Sequence, residues 1–149
     1  MNSDIKEIET KINSIIQKNE DAIMGYEKAA ENAKGIGLQS YFSNKALERK
    51  NFLISLKSAA PALNLREDID GSVTGALHRT WMDIKAAFSS DDDEAMLEEA
   101  IRGDKAAIEE YNEVLSDVHL PVAIATLIRQ QITWIREDLE KIKSLEDVM

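Results

Sequence analysis

Four polar residues interrupt the apolar helical stripes of this sequence, and their chemistry has to be explained first. Asn19, Arg49, Asp104 and Gln131 each stand near the middle of a stretch in which apolar residues recur every three or four positions. Such spacing places the apolar residues on one face of an α-helix. A polar or charged side chain on a buried face needs a partner, because burying it alone costs free energy. We therefore expect the four residues to meet inside a helical bundle.

An ion pair is the first chemistry that these residues could form. Among the residues on the four apolar stripes, Asp104 is the acidic one at the same level of the bundle as Arg49. A buried guanidinium requires a counter-charge. The sequence therefore predicts an Arg49–Asp104 pair, extended by the amides of Asn19 and Gln131 into a polar layer of the core. Such a layer fixes the register of packed helices. The alternative is that Arg49 extends to the surface and Asp104 borders a wide apolar face.

Metal binding is the second chemistry available at mid-bundle positions. Di-metal bundles take a Glu from each of two helices and a Glu-x-x-His pair from each of the other two. Among the interrupting residues only Asp104 matches, and Arg49 would repel a cation. A weaker alternative combines Glu27, Glu48 and Glu99 with Asp104 to bind iron or manganese. We expect no cofactor, with this metal site as the alternative.

Four long amphipathic helices are needed to position these residues. The stripes cover approximately residues 3–33, 38–60, 97–118 and 124–142, and a shorter apolar face covers 77–88. Short turns join the first two helices and the last two, whereas about 30 residues separate the pairs, which is the connectivity of ferritin-like bundles. The sequence predicts one all-α domain over residues 1–149. We expect a ferritin-like four-helix bundle of two antiparallel hairpins, with a short fifth helix in the long crossover.

Composition restricts the classes of function. The chain of 149 residues has 44% hydrophobic and 31% charged residues, which is enough for one buried core. Its net charge of −10 disfavours nucleic acid as a partner. Apolar runs are too short to span a membrane, and charges within Met1–Glu9 disfavour a signal peptide. We expect a cytoplasmic protein, and the absence of cysteine excludes disulfides and thiolate catalysis.

One stretch of the predicted crossover carries a family signature. Residues Gly71–Trp81 read GSVTGALHRTW, which resembles the GS-x-x-G-x-x-HR-x-W pattern of a bacterial ferritin-like four-helix-bundle family called domain of unknown function 2383. Three further family patterns, Y-x-x-AAE, A-x-E-R and R-G-E, are met at Tyr26–Glu31, at Ala46–Arg49 and, with Asp in place of Glu, at Arg102–Asp104. The function of that family is unsettled, so the resemblance implies the fold rather than an activity.

The signature residues of the crossover are His78, Arg79 and Trp81, and the resemblance implies a defined role for the first two. His78 and Arg79 would anchor the crossover to the bundle through acidic neighbours such as Glu48 or Glu99. Asp104 stands where the family commonly has Glu, and Asp138 stands near the position of an expected histidine in the last helix. Both departures count against a metal site.

These observations favour a non-enzymatic protein with a structural or interaction role. It would act through self-association into a homo-oligomer or through a protein partner that the sequence does not identify. The first alternative is a di-metal carboxylate protein that handles iron or acts as an oxidase. A further alternative is a small-molecule binder, for which a large internal cavity would be the indicator.

Overall fold

The residues that the structure describes form four α-helices and the turns within the two helix pairs. This computed structural model describes residues 2–59 and 93–148, and the side chains within 5–59 and 93–142. The helices are α1 (Asn2–Asn32), α2 (Ile36–Ala59), α3 (Asp93–Leu115) and α4 (Val122–Val148). Over those two ranges, none of them is long and apolar enough to cross a membrane. The four long helices predicted from the sequence are present, and the predicted fifth helix lies outside the described residues.

Two apolar clusters define the direction of each helix. The first joins the beginnings of α1 and α4 to the ends of α2 and α3, and it includes Ile8, Ile12, Leu56, Val114, Ile124 and Ile128. The second joins the opposite ends, and it includes Ala29, Phe42, Met96, Leu97, Leu139 and Ile142. Helix α1 therefore runs antiparallel to α2 and α3 and parallel to α4. This is the arrangement of two antiparallel hairpins that the sequence predicts.

The turn between α1 and α2 is bonded to the first residue of α3. The Asp93 carboxylate accepts hydrogen bonds from the backbone N–H of Lys34 at 2.9 Å and of Gly35 at 3.1 Å. The side chain of Gln39 donates to the carbonyl of Ala33 at 2.7 Å, which satisfies one of the free carbonyls that follow α1. The Asp93 bonds thus connect the start of the second hairpin to the turn of the first.

Helix α3 ends three residues earlier than the sequence predicts. The predicted apolar stripe reaches Val118, but the helix ends at Leu115 and Val118 is 88% exposed. The physical reason lies in the following turn. The Asp117 carboxylate accepts a hydrogen bond from the His119 N–H at 2.9 Å and another from Lys11 of α1 at 3.0 Å. Local side-chain bonds of this kind compete with continuation of a helix.

Candidate functional site

Arg49 and Asp104 form the centre of a buried polar network between the two apolar clusters. The Arg49 Nη2 atom lies 2.8 Å from Asp104 Oδ1, and the two residues are 3% and 0% exposed. Arg49 Nη1 also donates to Asn19 Oδ1 at 2.9 Å. The structure therefore brings Asn19, Arg49 and Asp104 into contact, and Arg49 does not extend to the surface.

Lys45 supplies a second buried cation that the sequence interpretation missed. Its ammonium donates to Asp104 Oδ2 at 2.6 Å and to Asp138 Oδ2 of α4 at 3.4 Å. Lys45 is 3% exposed. The carboxylate of Asp104 thus has a cation on each oxygen, and Asp138 extends the network to α4.

Gln131 belongs to the network, but it reaches Asn19 only through a tyrosine. Asn19 Nδ2 donates to the Tyr111 hydroxyl at 2.8 Å, and that hydroxyl donates to Gln131 Oε1 at 2.9 Å. Gln131 Nε2 then donates to the backbone carbonyl of Phe52 in α2 at 3.3 Å. The expected amide contribution is therefore present with Tyr111 as the link between the two amides.

The four expected residues are spread over two levels of the bundle rather than one. Asn19 of α1 bonds Tyr111 of α3, and Tyr26 of α1 donates to Asp104 Oδ1 of α3 at 3.1 Å. Both pairs have the same antiparallel register. Helices α1 and α3 each contribute two residues that stand seven positions apart. Seven residues span about 10 Å along a helix axis. The long side chain of Arg49 spans the two levels.

Aromatic rings surround the two cations. Lys45 Nζ lies 5.1 Å from the centre of the Tyr26 ring and 5.8 Å from that of Tyr41, and the Arg49 guanidinium lies 5.8 Å from the Phe52 ring. Rings at these distances stabilise desolvated cations. Burial raises the pKa of the Tyr26 phenol, and burial likewise raises the pKa of Tyr111. Both hydroxyls therefore keep the protons that they donate.

Glu48 adds a third carboxyl group at the edge of the network. It is half-buried on α2. Burial, together with the nearby carboxyl group of Asp138 on α4, raises the pKa of Glu48 to about 8. The Glu48 carboxyl group is thus mostly protonated at neutral pH, and a protonated carboxyl can donate to a neighbouring carboxylate.

The alternative metal ligands do not converge on one point. Glu27 is exposed and lies 3.7 Å from Lys50, and Glu99 lies 3.0 Å from Arg102. Among the side chains that the structure describes, within 5–59 and 93–142, no three from Asp, Glu or His are placed so that they could hold a metal ion. The residues at mid-bundle therefore do not fit a di-metal centre. The crossover residues His78, Arg79 and Trp81 lie outside the described part of the chain.

Sequence signals for the missed residues did exist. Lys45 stands one turn before Arg49 on the same predicted stripe, and Tyr26 and Tyr111 each follow an interrupting residue by seven positions. Residues separated by four or seven positions share a helix face. Asp138 stands seven residues after Gln131, which places it on the inner face of α4.

Comparisons with known proteins agree on the fold and leave the activity open. The model of the family described as Domain of unknown function (DUF2383) matches residues 7–117. No curated protein matches the chain significantly. A structural neighbour is a two-domain protein from Anabaena variabilis that contains DJ-1/ThiJ/PfpI-like and ferritin-like domains, with a TM-score of 0.76 and 13% identity. The match covers 97% of this chain and 40% of that one. It confirms the predicted ferritin-like fold, and at this identity it carries no information on function.

Proposed function

Because the chain belongs to the family described as Domain of unknown function (DUF2383), and because its fold is ferritin-like, we propose that it is a non-enzymatic bundle protein in which a polar network replaces a di-metal site. One observation carries the proposal. The ammonium of Lys45 and the guanidinium of Arg49 both lie within hydrogen-bond distance of the Asp104 carboxylate at mid-bundle.

Electrostatics argues against a metal ion at this position. Both oxygens of the Asp104 carboxylate already accept hydrogen bonds, Oδ1 from Arg49 and Tyr26 and Oδ2 from Lys45. A divalent cation would have to displace a bonded cation and would be repelled by the other one. We therefore infer that the protein works without iron, manganese or another cofactor.

Burial argues against acid–base catalysis by the same residues. Asp104 and Gln131 are both 0% exposed, and Asn19 is 1% exposed. A general base must come within hydrogen-bond reach of the substrate proton that it removes. No substrate can reach these groups while the helices are packed, so the network is a poor candidate for a catalytic site.

A scaffold role agrees with the way in which the network links the helices. Hydrogen bonds join α1 to α3, α2 to α3 and α2 to α4, and they hold two levels of the bundle in one register. Buried polar groups of this kind select one register and orientation among several. We propose that the rigid bundle acts in the bacterial cytoplasm as a structural or interaction module, either as a homo-oligomer or with a protein partner. Neither nucleic acid nor membrane is expected as a partner.

Metal analysis of protein purified without chelator tests this proposal. We expect far less than one equivalent of iron or manganese per chain, and no saturable binding when ferrous or manganous ions are added. The matched variants are Asp104→Asn, which changes the network, and Glu98→Gln, which changes an exposed carboxylate. About two equivalents of metal per chain, retained in Glu98→Gln and lost in Asp104→Asn, would overturn the proposal in favour of a di-metal carboxylate protein.

A second experiment tests the proposed mode of action. Native mass spectrometry and light scattering give the oligomeric state, and affinity capture with the purified bundle reports protein partners. Binding to DNA, RNA or anionic vesicles at physiological salt would contradict the proposal. A strictly monomeric protein that captures no specific partner would also contradict it.

A further inference from the structure

The outer face of α2 differs in composition from the outer faces of the other three helices. Where the structure describes side chains, one of eleven exposed residues on α2 is charged, against five of eight on α1, six of eight on α3 and five of eleven on α4. Three exposed residues of α2 are large and apolar: Ile36 is 80% exposed, Leu47 57% and Ile54 64%. Because protein interfaces are depleted of charged residues, this composition is that of a surface that another molecule covers.

The exposed residues of α2 form one stripe whose two halves complement each other. Steps of three or four positions place seven of them on one side of the helix. They are Ile36, Ser40, Ser43, Leu47, Asn51, Ile54 and Ser58. If a second copy of α2 packs antiparallel, with Leu47 at the two-fold axis, residues that are equally far from Leu47 on opposite sides meet each other. Ile36 then meets Ser58, and Ile54 meets Ser40. Large residues thus face small ones, as a self-complementary interface requires.

The distribution of charge also permits this pairing. A chain with a net charge of −10 repels a second copy on average, but the seven residues of the stripe include no acid. Beside the stripe, α1 and α2 form an open groove of about 390 Å³, and its described lining includes Ser43, the carboxylates of Glu27 and Glu31, and the ammonium of Lys50. Antiparallel pairing brings Lys50 of the second copy opposite Asn44, next to Ser43. That ammonium therefore lies at the level of the acidic groove, where opposite charges attract.

The face is large enough for a dimer. Helix α2 has 24 residues and is therefore about 36 Å long. Together with the exposed part of α1 beside it, the face is about 20 Å wide, since packed helices are about 10 Å across and about 10 Å apart. These dimensions give about 700 Å² per copy, which is close to the roughly 800 Å² that each partner buries in a stable interface.

We propose that two copies of this chain associate through the outer face of α2, with the two helices antiparallel and Leu47 at the two-fold axis. The inference rests on the proposed function, because it gives the homo-oligomer named there a definite interface. Lys45 and Arg49 hold the opposite side of the same helix in the buried network. The network thereby determines which residues of α2 point outwards.

Sedimentation equilibrium of the intact protein over a range of concentrations tests the association. The wild type should form a reversible dimer. Leu47→Glu sets two carboxylates against each other at the axis, so it should weaken the dimer at least about 100-fold. Its circular dichroism should match that of the wild type, because Leu47 is exposed. The control Ala106→Glu adds the same charge at an exposed position of α3 and should leave the dimer unchanged. A wild type that stays monomeric, or a Leu47→Glu protein as dimeric as the wild type, would overturn the proposal.

Disulfide cross-linking tests the direction and the register of the two helices. The sequence contains no cysteine, so each variant carries a single one. Leu47→Cys should give a linked dimer on mild oxidation. Ile54→Cys should not link to itself, because antiparallel pairing separates the two sites by about 20 Å, which is beyond the reach of a disulfide. A mixture of Ser40→Cys and Ile54→Cys should give the mixed dimer. Linking of Ile54→Cys to itself as fast as that of Leu47→Cys would indicate parallel helices and would overturn the proposal.

These outcomes separate the inference from the proposed function. A dimer that persists in Leu47→Glu would overturn the interface and leave the homo-oligomer of the proposed function in place. About two equivalents of bound metal per chain would overturn the proposed function. The predicted cross-links at α2 would still support the interface in that case.

Discussion

Asp104→Ala is the substitution that tests the buried network most directly. Asp104 is fully buried, and its carboxylate accepts hydrogen bonds from Arg49, Lys45 and Tyr26. Breaking a buried ion pair by removing one partner costs about 3–5 kcal/mol, because the other charge stays buried without compensation. Here two cations lose a partner at once, and only Lys45 keeps another carboxylate, that of Asp138. We therefore expect the upper half of that range.

Urea unfolding followed by circular dichroism measures this loss as a change in the free energy of unfolding. Glu109→Ala on the same helix is the matched control, because Glu109 is exposed, and its effect should stay within about 0.5 kcal/mol. A loss below about 1 kcal/mol for Asp104→Ala would mean that water reaches the cations, and the description of a buried network would then be wrong.

A compensated variant separates the cost of unpaired charge from the value of the network. Replacing Arg49 and Asp104 alone by apolar residues would leave Lys45 buried with half of its partners. The triple variant Lys45→Met, Arg49→Met and Asp104→Leu removes all three central charges and should recover part of the stability lost in Asp104→Ala. Full recovery is not expected, because Asn19 Oδ1 loses the donor that Arg49 provided. A triple variant less stable than Asp104→Ala would refute the reasoning.

Three further predictions address the tyrosine link, the turn and the titrating carboxyl. Tyr111→Phe removes a hydroxyl that is bonded to two buried amides, and it should lower the free energy of unfolding in urea by about 1–3 kcal/mol. Tyr41→Phe should lower it by less, because the hydroxyl of Tyr41 forms a hydrogen bond of 3.4 Å. Asp93→Ala should destabilise the protein by about 0.5–2 kcal/mol and speed amide hydrogen exchange in the α1–α2 turn. Unchanged exchange in that turn would mean that Asp93 does not hold it. Because the pKa of Glu48 is about 8 in the folded protein, against an ordinary 4.5, the folded state binds more protons between these values. The wild-type free energy of unfolding should therefore decline as pH rises through that window, and the decline should be weaker in Glu48→Gln.

The fold could be predicted from the sequence because its signals are periodic and local. Apolar residues at steps of three and four define each helix, and the unequal lengths of the connections define two hairpins joined by a crossover. The end of α3 could not be located in this way, since Val118 continues the apolar spacing. There the helix stops because Asp117 bonds the turn and Lys11, and the second of these contacts is distant in sequence.

The central charged residues of the site could be predicted from the sequence, but the hydrogen bonds that connect them to other residues could not. Arg49 and Asp104 stood out because a charge within an apolar stripe is rare, whereas Lys45 stands beside Ala46 at a stripe position that either residue could fill. A long side chain such as lysine often reaches solvent, so its type does not settle its burial. Tyrosines are equally ambiguous, because their rings fit a core whether or not their hydroxyls are bonded. Only the packed structure decides these cases.

The relation between this network and a di-metal centre follows from charge balance. Inward-facing carboxyl groups at the middle of a bundle need positive charge, and bound metal ions are one way to supply it. In this chain Lys45 and Arg49 supply that charge from side chains of α2. A cation held by a side chain cannot dissociate from the protein, whereas a bound metal ion can.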